Sequence, residues 1–241
     1  MTYREFSSQV MVSVEGMCRD FFRKNRENIR VKKEEVAVRN LVAIVNATLS
    51  LSCGKGFDAM SLRDLSSESG LSMGALYSYF SSKEELLGLV QYHGRAAVIK
   101  ILNEQIGREG GARERLRNAV RTHIYLSELM SQWFYFLFME TKNLDKKHRK
   151  ISMESELMTE KIITDILSEG IKQRVFAVRD VQLTGSVIKA MMQDWYLKQW
   201  KYSQRGVSVD EYAQCIIEVI ESYILKDAVA ATRGGGNGTN R

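Results

Sequence analysis

Apolar side chains recur at helical spacing along nearly the whole chain, and strict alternation over a strand's length is missing. Leu41, Ile44, Val45, Thr48 and Leu49 step i, i+3, i+4, i+7 and i+8, which is one face of an amphipathic helix. Gly54 and Gly56 follow with helix-stop chemistry. Two short helices are predicted over 61–68 and 72–79, then a long one from Ser82 to about Gln105, stopped by the glycines between 107 and 111. Beyond that break the spacing predicts long helices over 113–140, 152–171, 180–202 and 208–226, with a charged turn over 143–150. The tail from Arg233, which continues Gly-Gly-Gly-Asn-Gly-Thr-Asn-Arg, has nothing to bury and is expected to be disordered.

Composition turns this pattern into an all-α fold class. The 241 residues contain no proline, where an average share of about 5% would supply roughly 12. Proline is excluded from helix interiors but common in the turns and edges of β proteins, so its absence favours helices throughout. Apolar residues at 44% and charged residues at 27% exclude both a disordered chain and a membrane-embedded one. The longest uninterrupted apolar run, 133–139, is far short of the roughly 20 residues of a membrane span. Residues 10–14 are too short for the apolar stretch of a signal peptide. A cytoplasmic protein with no membrane partner is expected.

Thirty-five basic against 29 acidic side chains leave a net charge of +6, which leans towards a polyanionic partner. Neither half concentrates it. Only 19–39 is locally basic, with Arg19, Arg23, Lys24, Arg26, Arg30, Lys32, Lys33 and Arg39, read equally as a solvated helix face or as phosphate contacts. Cys18, Cys53 and Cys215 are odd in number and far apart, so reduced structural thiols are expected. His93, His123 and His148 lack partners at ligand spacing, and no metal or cofactor is expected.

The chemistry gathers between Ser61 and Phe80. Ser61 with Asp64 forms an N-terminal capping pattern. Leu62 and Leu65 give the helix an apolar side, Ser66 is small enough for a second helix to cross closely, and Gly70 suits the tight turn between them. Ser72 can cap the second helix, Leu71, Leu76 and Phe80 return to the core, and Met73, Gly74, Ala75, Tyr77, Ser78 and Tyr79 are left to face outward. This is a helix-turn-helix, whose second helix enters the major groove of DNA. Gly74 and Ala75 permit close approach to base edges, Tyr77 and Tyr79 offer hydroxyls to phosphates, and Lys83 adds a cation.

The stretch Gly70-Leu-Ser-Met-Gly-Ala-Leu-Tyr-Ser-Tyr-Phe-Ser-Ser-Lys-Glu-Glu-Leu-Leu87, preceded by Gly54-Lys-Gly-Phe57, resembles the DNA-binding domain of the tetracycline-repressor (TetR) family. The resemblance covers about residues 38–90. It implies a three-helix reading head, a larger helical ligand domain and a homodimeric, ligand-responsive repressor on a double-stranded DNA operator. It also places Ser61, Ser72, Met73, Gly74, Ala75, Tyr77, Tyr79 and Lys83 on the family's DNA-contacting positions. Met60 departs from the threonine or valine usual there, and some thirty residues precede the point where many members begin. That basic extension is read either as an extra helix packed on the body or as an arm on DNA. The domain reading is therefore a helical extension over 1–36, the helix-turn-helix domain over 37–84, a ligand-binding and dimerisation domain over 85–230, and a tail over 231–241.

On the last helix, Tyr212, Cys215, Ile216, Val219, Ile220, Tyr223 and Ile224 form an apolar stripe opened by a Ser208–Glu211 capping box. The preceding helix is apolar on more than one side, with Ile188, Met191, Met192, Trp195, Tyr196 and Trp200. Trp200, Tyr212, Ile216, Val219, Ile220 and Tyr223 are candidates for a four-helix dimer interface, with intrachain core as the alternative. The consecutive residues Trp133, Phe134, Tyr135, Phe136, Leu137, Phe138 and Met139 cover every direction of a helix. They either line a ligand cavity or bury a central helix on all sides. For the cavity reading, the lining candidates are Trp133, Phe134, Leu137 and Phe138 with His123, Met130, Met158, Met192 and Trp195. The run Asp194-Trp-Tyr-Leu-Lys-Gln-Trp-Lys-Tyr202, followed by Gly206 and Asp210-Glu-Tyr-Ala213, is similar to a C-terminal pattern in family members that sense acyl-coenzyme A thioesters. The expected effector is thus a small apolar or acyl-coenzyme A-like molecule. Arg121, Lys189 and Lys198 are read as solvated cations or as phosphate contacts at the cavity mouth.

Two other classes compete. Gly70-Leu-Ser-Met-Gly74 fits G-x-S-x-G, which would make Ser72 the nucleophile of an esterase, but that elbow follows a strand and here the preceding segment reads as helix. An architectural DNA binder without ligand would not need a second domain of this size. The chain is therefore expected not to be an enzyme.

Overall fold

In a computed structural model, residues 1–10, 14–107, 110–140 and 146–225 are described. The expected disordered tail lies outside them, as do 141–145 of the expected charged turn and the side chains of His93 and His148. Twelve helices run through the described residues: α1 Tyr3–Gln9, α2 Val14–Lys24, α3 Glu34–Lys55, α4 Leu62–Ser69, α5 Met73–Leu76, α6 Lys83–Ile106, α7 Ala112–Leu129, α8 Ser131–Met139, α9 Lys146–Lys172, α10 Val181–Leu197, α11 Gln199–Gln204 and α12 Val209–Ile224. There is no strand among them, only an isolated bridge between Phe176 and Leu225. Two expected helices are each broken in two, at Met130 and at Lys198, and α9 starts at Lys146, where a turn was expected.

The chain divides into two units that are not contiguous in sequence. One holds 8–99 and 130–154, the other 1–7, 100–129 and 155 onwards. In the first, α3 is the central rod. It is long and apolar enough to cross a membrane by length and composition. Its Leu41, Ile44, Val45 and Leu49 are instead buried, and α2, α4 and α8 pack on it, so its apolarity serves a protein core. The extension contributes α2, which buries Cys18, Phe21 and Phe22. Arg19 ties α2 to the start of α3 through Glu34 at 3.2 Å and Glu35 at 2.8 Å, and it also meets Glu15 at 2.9 Å. Of the three cysteines only Cys18 is buried, its thiol pushed up to about 12 by burial and, less, by Glu15; Cys53 and Cys215 are exposed.

In the second unit α7 packs against α10 and α12. Glu221 of α12 takes the guanidinium forks of Arg113 (2.9 and 2.8 Å) and Arg117 (2.6 and 2.8 Å), and these two cations hold its carboxyl down at about 2. Helix α1 docks on the same unit. Phe6 is fully buried against Tyr125, and the Tyr3 backbone N–H donates to Asp210 at 2.9 Å. Gly185 lets α10 approach α9, since a Cβ there would lie 2.4 Å from Thr164 Cγ2.

Candidate nucleic-acid interface

The reading head is assembled by local capping. The Asp64 N–H donates to Ser61 Oγ (3.1 Å), and the Ser61 N–H donates back to Asp64 Oδ2 (2.8 Å), closing a capping box on α4. Lys55, from the end of α3, reaches the same carboxylate at 2.6 Å and, with the Ser61 bonds, holds it well below the usual carboxylate range. Gly70 turns the chain at φ +69°, where a side chain would be strained. The Ser66 hydroxyl donates to Leu71 O at 2.5 Å, which ties α4 to the turn. Ser72 then caps α5, accepting the Ala75 N–H at 3.2 Å.

The recognition segment is a shorter helix than its spacing predicts. Regular helix ends at Leu76, and the chain continues in tighter turns, with the Ser78 N–H donating to Ala75 O and the Tyr79 N–H to Leu76 O. Ser61, Ser72, Gly74 and Tyr77 are exposed, and Met73, Ala75 and Ser78 are half-buried. The Ser78 hydroxyl donates to Gly74 O at 3.1 Å. Tyr79 corrects the sequence reading. It does not face outward: tightening after Leu76 swings it into the core, where it is 5% exposed beside buried Leu76 and Phe80. Burial pushes its phenol up, against the opposing pull of Asn40 and Arg39 on α3. Lys83 is half-buried. Its ammonium donates to Asp58 O at 2.8 Å and lies 4.8 Å from the centre of the Phe57 ring, so it closes the loop between α3 and α4.

The Ser72 hydroxyl is a cap, and α4 rather than a strand precedes it, so the nucleophile-elbow reading fails on geometry.

The aromatic run turns out to belong to the reading-head unit. Trp133, Phe134 and Phe136 are buried, Leu137 is half-buried, and Phe138 is exposed. Phe136 meets Phe57 edge to face at 5.9 Å, and Glu140 Oε1 accepts the Phe57 N–H at 3.2 Å. Trp133 presses on α6, where a Cβ at Gly94 would lie 2.3 Å from its ring. Phe57 is thus held by α8 and Lys83 together, just before the cap of α4. No single-residue signal in the sequence points to it.

The remaining cavity candidates separate. Met130 is buried in the reading-head unit, whereas His123, Met192 and Trp195 are buried in the other. Met158 and Phe138 are exposed. Trp195 stacks on Tyr202 at 5.3 Å and donates its N–H to Glu128 at 2.9 Å. Lys189, read as a solvated cation or as a phosphate contact at a cavity mouth, is buried at 5% exposure. Its ammonium donates to Thr159 at 2.8 Å and lies 3.8 Å from the Glu156 carboxylate. Burial pulls its basicity down, opposed by Glu156 and Glu160. His123 on α7 is held well below its ordinary range by burial and then by the nearby Lys189 charge. This buried polar pair was not visible as such in the sequence.

The dimer candidates split by face. Tyr212, Ile216 and Ile220 are buried within their own chain, as are Ala213, Ile217 and Ile224, which corrects the first three as interface residues. Trp200, Val219 and Tyr223 are exposed, and Leu183 and Val187 on α10 join them.

Two family descriptions match the chain. "Bacterial regulatory proteins, tetR family" matches residues 44–90, and "Tetracyclin repressor-like, C-terminal domain" matches 109–223. No curated protein matches. Among solved structures, the TetR-family transcriptional regulator PfmR from Thermus thermophilus is 25% identical, covers 75% of this chain and 97% of its own, and superposes with a TM-score of 0.67. AibR, solved with isovaleryl coenzyme A and operator DNA, is 18% identical over 75% and 97%, with a TM-score of 0.68. FadR from Bacillus subtilis, solved with stearoyl-CoA, is 19% identical over 74% and 96%, with a TM-score of 0.61.

Proposed function

Because the chain belongs to the tetracycline-repressor family of bacterial regulators, a family of DNA-binding regulators and not of enzymes, we propose that it works in the cytoplasm as a homodimeric repressor. On this reading a small apolar or amphipathic effector, with an acyl-coenzyme A thioester as first candidate, releases it from a near-palindromic operator. The observation that carries the reading is the capped helix-turn-helix with Ser61, Ser72, Gly74 and Tyr77 exposed around its second helix. One short recognition segment contacts too few bases for specificity, and a two-fold dimer doubles the site. The exposed apolar residues Leu183 and Val187 on α10, with Val219 and Tyr223 on α12, support an interface between copies.

For the effector, the support is chemical. Helices α7 and α10 carry His123 and Lys189, a buried neutral donor or acceptor and a buried cation suited to the polar end of an otherwise apolar molecule. Relatives solved with isovaleryl coenzyme A and stearoyl-CoA make thioesters the first to try. Helix α7 runs into α8 through the break at Met130, and α8 holds Phe57 ahead of the Ser61 cap. The effector acts only through its differential affinity for the two conformations, so it must bind the DNA complex more weakly than the free protein.

The test is footprinting on a duplex selected from a randomised library, followed by titration with isovaleryl-CoA, stearoyl-CoA and the corresponding acids. Two symmetric half-sites and release by at least one compound are expected. A single asymmetric half-site at saturation refutes the dimeric operator, and unchanged DNA affinity with every compound refutes this effector class.

A further inference from the structure

The basic extension contains two kinds of cation. Arg19 and Arg23 are committed to Glu15, Glu34 and Glu35, and the Lys32 ammonium donates to Arg26 O at 3.1 Å and Ile29 O at 2.9 Å, which folds the loop between α2 and α3 on itself. Ile29 is buried and anchors that loop. Arg26, Arg30 and Lys33 are exposed, and among the described residues no carboxylate forms an ion pair with any of them. The loop is also placed by a specific bond. The Arg30 backbone N–H donates to Ser78 O at 3.2 Å, at the end of the recognition segment and next to exposed Tyr77.

We infer that the loop over 25–33 is part of the DNA interface, with Arg30, flanked by Arg26 and Lys33, contacting backbone phosphates beside the recognition helix. The inference rests on the DNA-binding reading above. It assigns the extension both a packed helix, α2, and a phosphate-contacting loop. The chemistry fits: the contact is sequence-independent, made by guanidinium and ammonium groups free to pair with an anion, and held in register by a backbone bond that side-chain substitution leaves intact. Its effect is affinity and positioning, while base reading stays with the residues around Gly74.

The experiment compares Arg30→Ala, Arg26→Ala and Lys33→Ala in the full chain, on the library-selected duplex and on an unrelated duplex, across a series of salt concentrations. Arg205→Ala, an exposed cation in the other unit, removes the same charge far along the chain and serves as the control. Arg30→Ala is expected to weaken binding to both duplexes on the order of ten-fold and to shallow the log–log salt slope by about 0.9, with thermal stability unchanged. Arg30→Lys should recover most of the slope. Slopes and affinities of all three loop variants equal to those of Arg205→Ala overturn the inference. Failure of the wild-type chain to discriminate the two duplexes overturns the DNA-reading premise instead, so the two failures are told apart.

Discussion

Phe136 and Phe138 are two positions apart on α8 and so face nearly opposite ways, which makes them a matched pair for asking what the aromatic run supports. Phe136 is 1% exposed and packs edge to face on Phe57; Phe138 is 45% exposed. Truncating a buried phenylalanine costs about 3–5 kcal/mol in lost transfer energy and cavity, including about 0.5–1.5 kcal/mol from the aromatic pair. For Phe138 roughly half the ring is already in water, and the transfer scale leaves about 1 kcal/mol. Phe136→Ala should therefore lower the melting temperature on the order of 10 °C and Phe138→Ala by only a few degrees, measured by thermal circular dichroism. Because Phe57 lies in the short loop ahead of the capped α4, four residues before Ser61, Phe136→Ala should also weaken DNA binding at temperatures where the protein remains folded. Equal destabilisation by the two variants, or DNA binding untouched by Phe136→Ala, would refute the argument that α8 braces the reading head.

The Glu221 clamp makes stability depend on acid. Its folded value of about 2 lies below its ordinary 4.5, so its contribution is complete above about 4.5 and disappears as pH falls towards 2. Glu221→Gln should cost about 2 kcal/mol at neutral pH and flatten the stability profile over that window, as read from urea melts at several pH values. At the proposed interface, Val219→Asp should give a folded monomer in sedimentation, because Val219 is exposed in the single chain, whereas Ile216→Asp should unfold the unit that buries it. Retained dimers for Val219→Asp would move the interface elsewhere.

Much of the architecture is local and so could be read along the chain. The Ser61–Asp64 and Ser208–Glu211 boxes form within four residues, the positive-φ turn at Gly70 needs only its own missing side chain, and the helical period of α3 reports a face whatever it meets. From these the all-α class, the helix-turn-helix and the family resemblance follow. A period states that a face is apolar, but it does not name the partner. On α12 the stripe is continuous in sequence, yet packing on α7 and α10 takes Tyr212, Ile216 and Ile220 and leaves Val219 and Tyr223 in solvent. Seven consecutive apolar residues on α8 carry no directional signal, so only contact with Phe57 and Gly94 shows that the reading head is what they brace. The breaks at Met130 and Lys198 involve neither glycine nor proline, so no residue type marks them along the chain. Lys189 looks like any surface cation until α7 and α9 enclose it, and Arg30 looks like its basic neighbours until its backbone is found bonded to Ser78. Burial and pairing depend on residues distant in the chain, and so these assignments belonged to the tertiary structure alone.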